Sequence, residues 1–130
     1  CNEKDVLVIF DEVQCGIGRT GKMFGYNNFD VEADIVSVAK GLGAGLPIGG
    51  ILCSPKVADV FKPGDHGSTF GANPVVCSGA LVVLEEICNE KALEKIAKRG
   101  AYVKELIDEA KNPQVVDVRG IGLMIGIKVK

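Results

Sequence analysis

The chain has 130 residues, 47% of them hydrophobic, with 15 Lys plus Arg against 17 Asp plus Glu, a formal charge of −2. That length fits one domain or a piece of a larger one, and the balanced charge gives no reason to expect nucleic acid or an anionic membrane as partner. No charge-free apolar run reaches the roughly 20 residues that a bilayer span needs.

The chain opens at Cys1-Asn2-Glu3-Lys4, directly before an apolar β-branched run, Val6–Phe10. The run reads as a strand covered on both faces in a parallel sheet, and so abrupt a start reads as a piece of a longer protein. Asp34–Ala39 and Ile48–Cys53 read as further strands. Pro55–Phe61 reads as a short helix with Ser54 as N-cap. The low-charge run from Asn73 to Ile87 predicts a mostly buried helix. From Asn89 or Glu90 to Ala110, apolar residues recur at three- and four-residue steps with charges between them, which predicts an amphipathic surface helix stopped by Asn112-Pro113. Val115–Val118 and Leu123–Val129 then read as strands flanking an Arg119-Gly120-Ile121-Gly122 turn.

Two glycine-rich stretches carry the functional question. Val6–Phe10 ends in Asp11-Glu12, as a metal-holding strand of an ATPase does, and Gly16 to Lys22 spells G-x-x-x-x-G-K. A phosphate loop needs Ser or Thr after its Lys and sits between its own strand and helix. Here Met23 follows Lys22 and the acidic strand comes first, so the nucleotide reading fails. The glycines are better explained as an irregular loop. The second stretch is Lys40-Gly41-Leu42-Gly43-Ala44-Gly45, directly after a predicted strand. The strand carries Lys40 to the carboxyl edge of the sheet, where open α/β folds bind ligands, and Asp11 ends a strand in the same way. Either residue alone is more often a strand-end charge or a cap. Two of them, each followed by glycines, point to a crevice.

A desolvated lysine amine can form a Schiff base with an aldehyde cofactor. Pyridoxal phosphate also needs an anionic partner for its ring nitrogen, a role that suits Asp11. Gly67-Ser68-Thr69-Phe70-Gly71 offers hydroxyl and amide donors for a phosphate. Five cysteines (1, 15, 53, 77 and 88) without C-x-x-C spacing, and a single His66, make a poor metal set, so no metal is expected and the thiols read as free in a reducing cytosol.

Four segments, FDEVQCGIGRTG, DIVSVAKGLGAGLPIGG, HGSTFGANP and VRGIGLMIG, occur in an order that resembles the class III (ornithine-type) pyridoxal-phosphate aminotransferases, and the similarity extends over essentially the whole chain. The resemblance implies an α/β chain of fold type I: residues 1–88 from the large, mostly parallel-sheet domain, and 89–130 as a linking helix and the start of a small α+β domain. It implies pyridoxal 5'-phosphate as cofactor, with Lys40 as the Schiff-base lysine and Asp11 as partner of the ring nitrogen. Val13 is expected to pack on the ring and Gln14 to reach its phenolic oxygen. Ser68 and Thr69 are expected at the phosphate, Thr69 toward the neighbouring subunit of a homodimer. Arg119 matches the arginine that receives the substrate α-carboxylate, and its planar fork suits that task. His66 is expected to brace the phosphate turn, and Arg19 has no assigned role. The loops are most similar to the branch that takes N-acetylornithine as donor and 2-oxoglutarate as acceptor in the cytoplasm, with ornithine and 4-aminobutyrate as alternative donors. The family's upstream phosphate loop is not encoded in these residues, so this piece alone is not expected to catalyse. A non-catalytic truncated relative is the reading of a different class.

Overall fold

The computed structural model describes residues 1–130, the side chain of Asn2 excepted. Two sheets and two helices organise it. Strand β1 (Ile9–Asp11) lies parallel to β2 (Ile35–Val38), and β2 lies antiparallel to β3 (Gly50–Cys53). The parallel register sets Asp11 beside Ser37. Val36 and Val38 alternate onto the buried face of β2, and Val57 and Ala80 are the other buried apolar residues among those described.

Strand β1 is shorter than the apolar run predicts. The Val8 amide goes to the Asp34 carboxylate at 2.8 Å instead of to a neighbouring strand, so pairing starts at Ile9 and extends to Asp11. The expected helix over Pro55–Phe61 is a single turn. Val57 and Ala58 amides bond to the Ser54 carbonyl, but the Ser54 hydroxyl finds no partner and so caps nothing. Pro63 and Gly64, the latter at φ 99°, follow closely and prevent continuation.

Helix α1 (Pro74–Ile87) starts where Asn73 accepts from the Val75 and Val76 amides, with Pro74 in the first turn, whose missing N–H costs nothing there. Within these residues it buries Ala80, while Val75 and Leu81 stand 72% and 61% exposed, so the burial expected of this helix is not supplied by residues 1–130. Helix α2 (Glu90–Glu109) is capped by Asn89, which accepts from the Ala92 amide at 2.8 Å. Strands β4 (Val115–Ile121) and β5 (Met124–Val129) form an antiparallel hairpin. Pairing runs through Gly120 (φ 124°) to Ile121 opposite Met124, so Arg119 lies within the strand and the turn sits at Gly122-Leu123, later than predicted.

The Gly16–Lys22 loop ties these parts together. Gly21 lies against helix α2, where a β-carbon would come within 2.9 Å of the Ala97 β-carbon, and its φ of 85° is itself one that side chains avoid. The Arg19 carbonyl accepts from the Leu123 amide at 2.9 Å, docking the hairpin onto the loop. Gly100 of α2 is buried against the hairpin turn, where a β-carbon would collide with the Gly122 carbonyl.

Folded chains of this mass, 13.7 kDa, expose roughly 6,600 Å². This one exposes 9462 Å², with Ile9, Ile51, Leu52 and Phe70 among its open apolar side chains. No helix among the described residues is long and apolar enough to cross a membrane.

Candidate active site

Asp11 ends β1, and its carboxylate is held by one backbone amide and one hydroxyl. Its Oδ1 accepts from the Val13 amide and from the Ser37 hydroxyl, each at 3.0 Å. These two bonds, the amide first, hold its carboxyl below the usual carboxylate range against an opposing effect of burial, and the Lys40 charge adds the least in the same direction as the bonds. The next residue, Glu12, points the opposite way, as strand alternation requires. It is buried (3% exposed), and its carboxylate accepts from the Gly25 amide at 2.7 Å and the Tyr26 amide at 2.9 Å. Its own amide donates to the Ser37 carbonyl at 3.0 Å. Glu12 is therefore an anchor that fixes the end of β1, and it is not a second ligand-facing acid. Cys15 donates to the Asp11 carbonyl at 3.6 Å, and burial, then the neighbouring Glu12, pushes its thiol up, so it stays protonated at neutral pH.

Lys40 leaves β2 with φ 41°, a left-handed conformation that costs a residue with a β-carbon about 1–2 kcal/mol. The turn that holds it, Lys40–Gly43, packs against α1, where Leu46 fills the space left by Gly79. The Lys40 ammonium is exposed and donates to the Gln14 side-chain carbonyl. Two bonded pairs, Asp11 with Ser37 and Lys40 with Gln14, therefore lie at the carboxyl end of the parallel strand pair. Val13 contributes through its amide to Asp11. Ser37 was not singled out from the sequence. The signal for it is the period of two: with Val36 and Val38 facing the core, Ser37 must face the side that Asp11 faces.

The remaining predicted residues stand apart from this group. Ser68 accepts from the Gly71 amide at 2.9 Å in an exposed loop, and its hydroxyl lines a cleft of about 630 Å³ with Pro47, Gly49 and Asn73. Thr69 is exposed and makes no side-chain hydrogen bond among the described residues. His66 packs edge-on against Phe61, ring centroids 5.4 Å apart, and makes no hydrogen bond to the Ser68 turn among the described residues. Arg119 is exposed on β4 opposite Gly126. A second cavity of about 400 Å³ runs from Asp11 past Tyr26 to Gly120 and Met124, so the backbone beside Arg119 borders the same space as Asp11. Tyr26 forms one wall, stacked on Phe10 at 5.3 Å and 12°.

The donor set fits an aldehyde cofactor with a basic ring nitrogen. An exposed amine bonded to a side-chain amide stands near an ionised carboxylate that feels its charge. The G-x-x-x-x-G-K stretch does not open a helix and is packed against α2 and the hairpin, so it holds no phosphate-loop geometry.

A family model described as aminotransferase class-III matches residues 1–130. The chain is 50% identical over 131 residues to acetylornithine aminotransferase of Caldanaerobacter subterraneus subsp. tengcongensis, covering 99% of this chain and 33% of the relative. The same comparison with the Aquifex aeolicus acetylornithine aminotransferase gives 48% identity over 130 residues, 100% of this chain and 33% of the relative. Among solved structures, acetylornithine aminotransferase from Elizabethkingia anophelis superposes with a TM-score of 0.91 at 39% identity, covering 100% of this chain and 33% of that one. Ornithine aminotransferase from Toxoplasma gondii ME49 gives 0.91 at 36%, covering 100% and 32%. The chain thus spans about a third of the length of the curated relatives it matches. With the family model matched over every residue and the fold shared with solved members, the chain belongs to the class-III aminotransferases.

Proposed function

We propose that these residues form part of the cofactor half of a pyridoxal-phosphate enzyme that moves the amino group of N-acetylornithine to 2-oxoglutarate. The observation that carries this reading is that two hydrogen-bonded pairs, Ser37 with Asp11 and Lys40 with Gln14, stand at the end of the parallel strands, close enough for the Lys40 charge to act on Asp11. The choice of donor is supported by relatives at 45–50% identity that bear the acetylornithine aminotransferase name. Residues 1–88 belong to the large domain on this reading, and 89–130 to the linking helix and the start of a smaller one. The surface in excess of a folded monomer supports burial against further chain or a second copy.

In the complete enzyme Lys40 would hold the cofactor through its amine and Asp11 would hold the proton of the ring nitrogen. The bound cofactor supplies an electron sink that acidifies the substrate Cα–H. Lys40 then takes that proton as general base and returns it as general acid. The link to Gln14 gives the free ammonium a resting partner. Gln14 serves the phenolic oxygen, and Val13 packs on the ring while its amide fixes Asp11. Arg119 receives the α-carboxylate with its planar fork. Ser68 and Thr69 serve the phosphate, Thr69 across a homodimer interface. The whole acts in the cytoplasm.

Borohydride reduction of the full-length protein followed by peptide mapping tests the assignment. Cofactor fixed on Lys40 is the expected result, and cofactor fixed on another lysine, or on none, overturns it. With N-acetylornithine, ornithine and 4-aminobutyrate compared as donors, the first is expected to give the largest kcat/KM.

A further inference from the structure

Both hydrogen bonds on the Asp11 carboxylate, among the described residues, fall on the same oxygen. The Val13 amide and the Ser37 hydroxyl each donate to Oδ1 at 3.0 Å. A carboxylate oxygen accepts about two such bonds, so Oδ1 is filled and Oδ2 is the acceptor left for a ligand. We propose that Ser37 is a positioning residue of this site: it fixes the Asp11 carboxylate plane so that Oδ2 is the oxygen presented to a protonated ring nitrogen. The inference rests on the assignment of Asp11 to that nitrogen.

The fold gives Ser37 little freedom to do otherwise. Register places it directly beside Asp11 in the parallel pair, on the same face. Val36 and Val38, on either side of it, are 5% and 7% exposed, so the strand is pinned from the opposite face. Its carbonyl accepts from the Glu12 amide, and the Glu12 carboxylate is itself clamped by the Gly25 and Tyr26 amides. The backbone at both ends of the link is therefore fixed by strand pairing and by the clamped Glu12. Three residues further along the same strand exit stands Lys40. One short stretch, Ser37 to Lys40, thus carries the amine and the hydroxyl that aims the counter-charge, and their spacing is set by the chain. The hydroxyl also favours the ionised carboxylate, in the same direction as the lowered Asp11 pKa.

The test uses the full-length protein with Ser37→Ala and Ser37→Thr, reading the dissociation constant for pyridoxal phosphate and the 15N resonance of a ring-labelled cofactor. Ser37→Ala is expected to weaken binding roughly tenfold and move the resonance toward the unprotonated ring, while Ser37→Thr, which restores the donor, stays within about twofold. Unchanged binding and resonance in Ser37→Ala overturn the proposal. So does a Ser37→Thr protein that loses both as Ser37→Ala does, since the hydroxyl then matters only for packing. Asp11→Asn separates this from the parent reading. If Asp11→Asn leaves both readouts unchanged, the assignment of Asp11 fails; if it alters them and Ser37→Ala does not, only the role of Ser37 fails.

Discussion

At the scale of single residues, two neighbouring acids at the end of β1 have opposite fates that alternation decides. Asp11 faces the open edge and Glu12 the interior, where two amides satisfy it. The sequence made Asp11 legible because an acid ending an apolar run is unusual, and Lys40 legible because a lysine before several glycines is too. Ser37 was not legible, because a serine in a strand is ordinary until register sets it beside an acid. The bonds to Asp11 have a consequence in pH. Its folded pKa is depressed, so the stability it contributes is present above the unfolded value and lost as pH falls through the folded one. The window therefore lies on the acid side of the usual carboxylate range. A 13C titration of the Asp11 carboxyl in the full-length protein is expected to give a midpoint below about 3.9, the ordinary aspartate value, and a higher one in Ser37→Ala. A wild-type midpoint at or above the ordinary value contradicts the two-donor geometry.

At the scale of elements, periodicity located α2 well because its charges and apolar residues separate onto two faces. It also located α1, whose low-charge run leaves an apolar surface open in these residues. The glycines of Gly16–Lys22 read as an irregular loop, and Gly21 answers to helix packing, a long-range contact that no local pattern encodes. The same contact logic governs Gly100, which lets α2 touch the hairpin that carries Arg119. Lys104 of α2 reinforces this by donating to the Gly120 carbonyl, one residue from Arg119. Gly100→Ala gains a little helix propensity, about 1 kcal/mol, but inserts a methyl group where backbone already stands, at a cost of about 1–3 kcal/mol or more. The overpacking should win. Amides of β4 and β5 are expected to lose hydrogen-exchange protection in this variant, and KM for amino acid should rise more than kcat falls, because Arg119 is displaced while Lys40 is not. Faster exchange confined to α2, with KM unchanged, would show that the helix and the hairpin are not coupled in this way.

At the scale of the whole molecule, family membership was readable because four motifs recur in order, whereas the area these residues leave open was not, since it depends on what each face meets. The accessible surface exceeds that of a folded monomer of equal mass by roughly 2,900 Å². A typical stable interface removes about 800 Å² from each partner, so one dimer contact covers only part of the excess. Additional chain packed on the sheet and on α1 accounts for the remainder better than dimerisation alone. Val36, Val38, Val57 and Ala80 are a small core for 130 residues, and they leave Ile9, Ile51 and Leu81 uncompensated. Residues 1–130 expressed alone are therefore expected to bind a hydrophobic dye such as ANS and to unfold over a broad denaturant range, whereas the full-length protein binds little dye and unfolds cooperatively. The decisive measurement is the denaturant m-value alongside sedimentation. A monomer of residues 1–130 with a sharp transition, and the m-value its length calls for, would show that this core suffices without further chain.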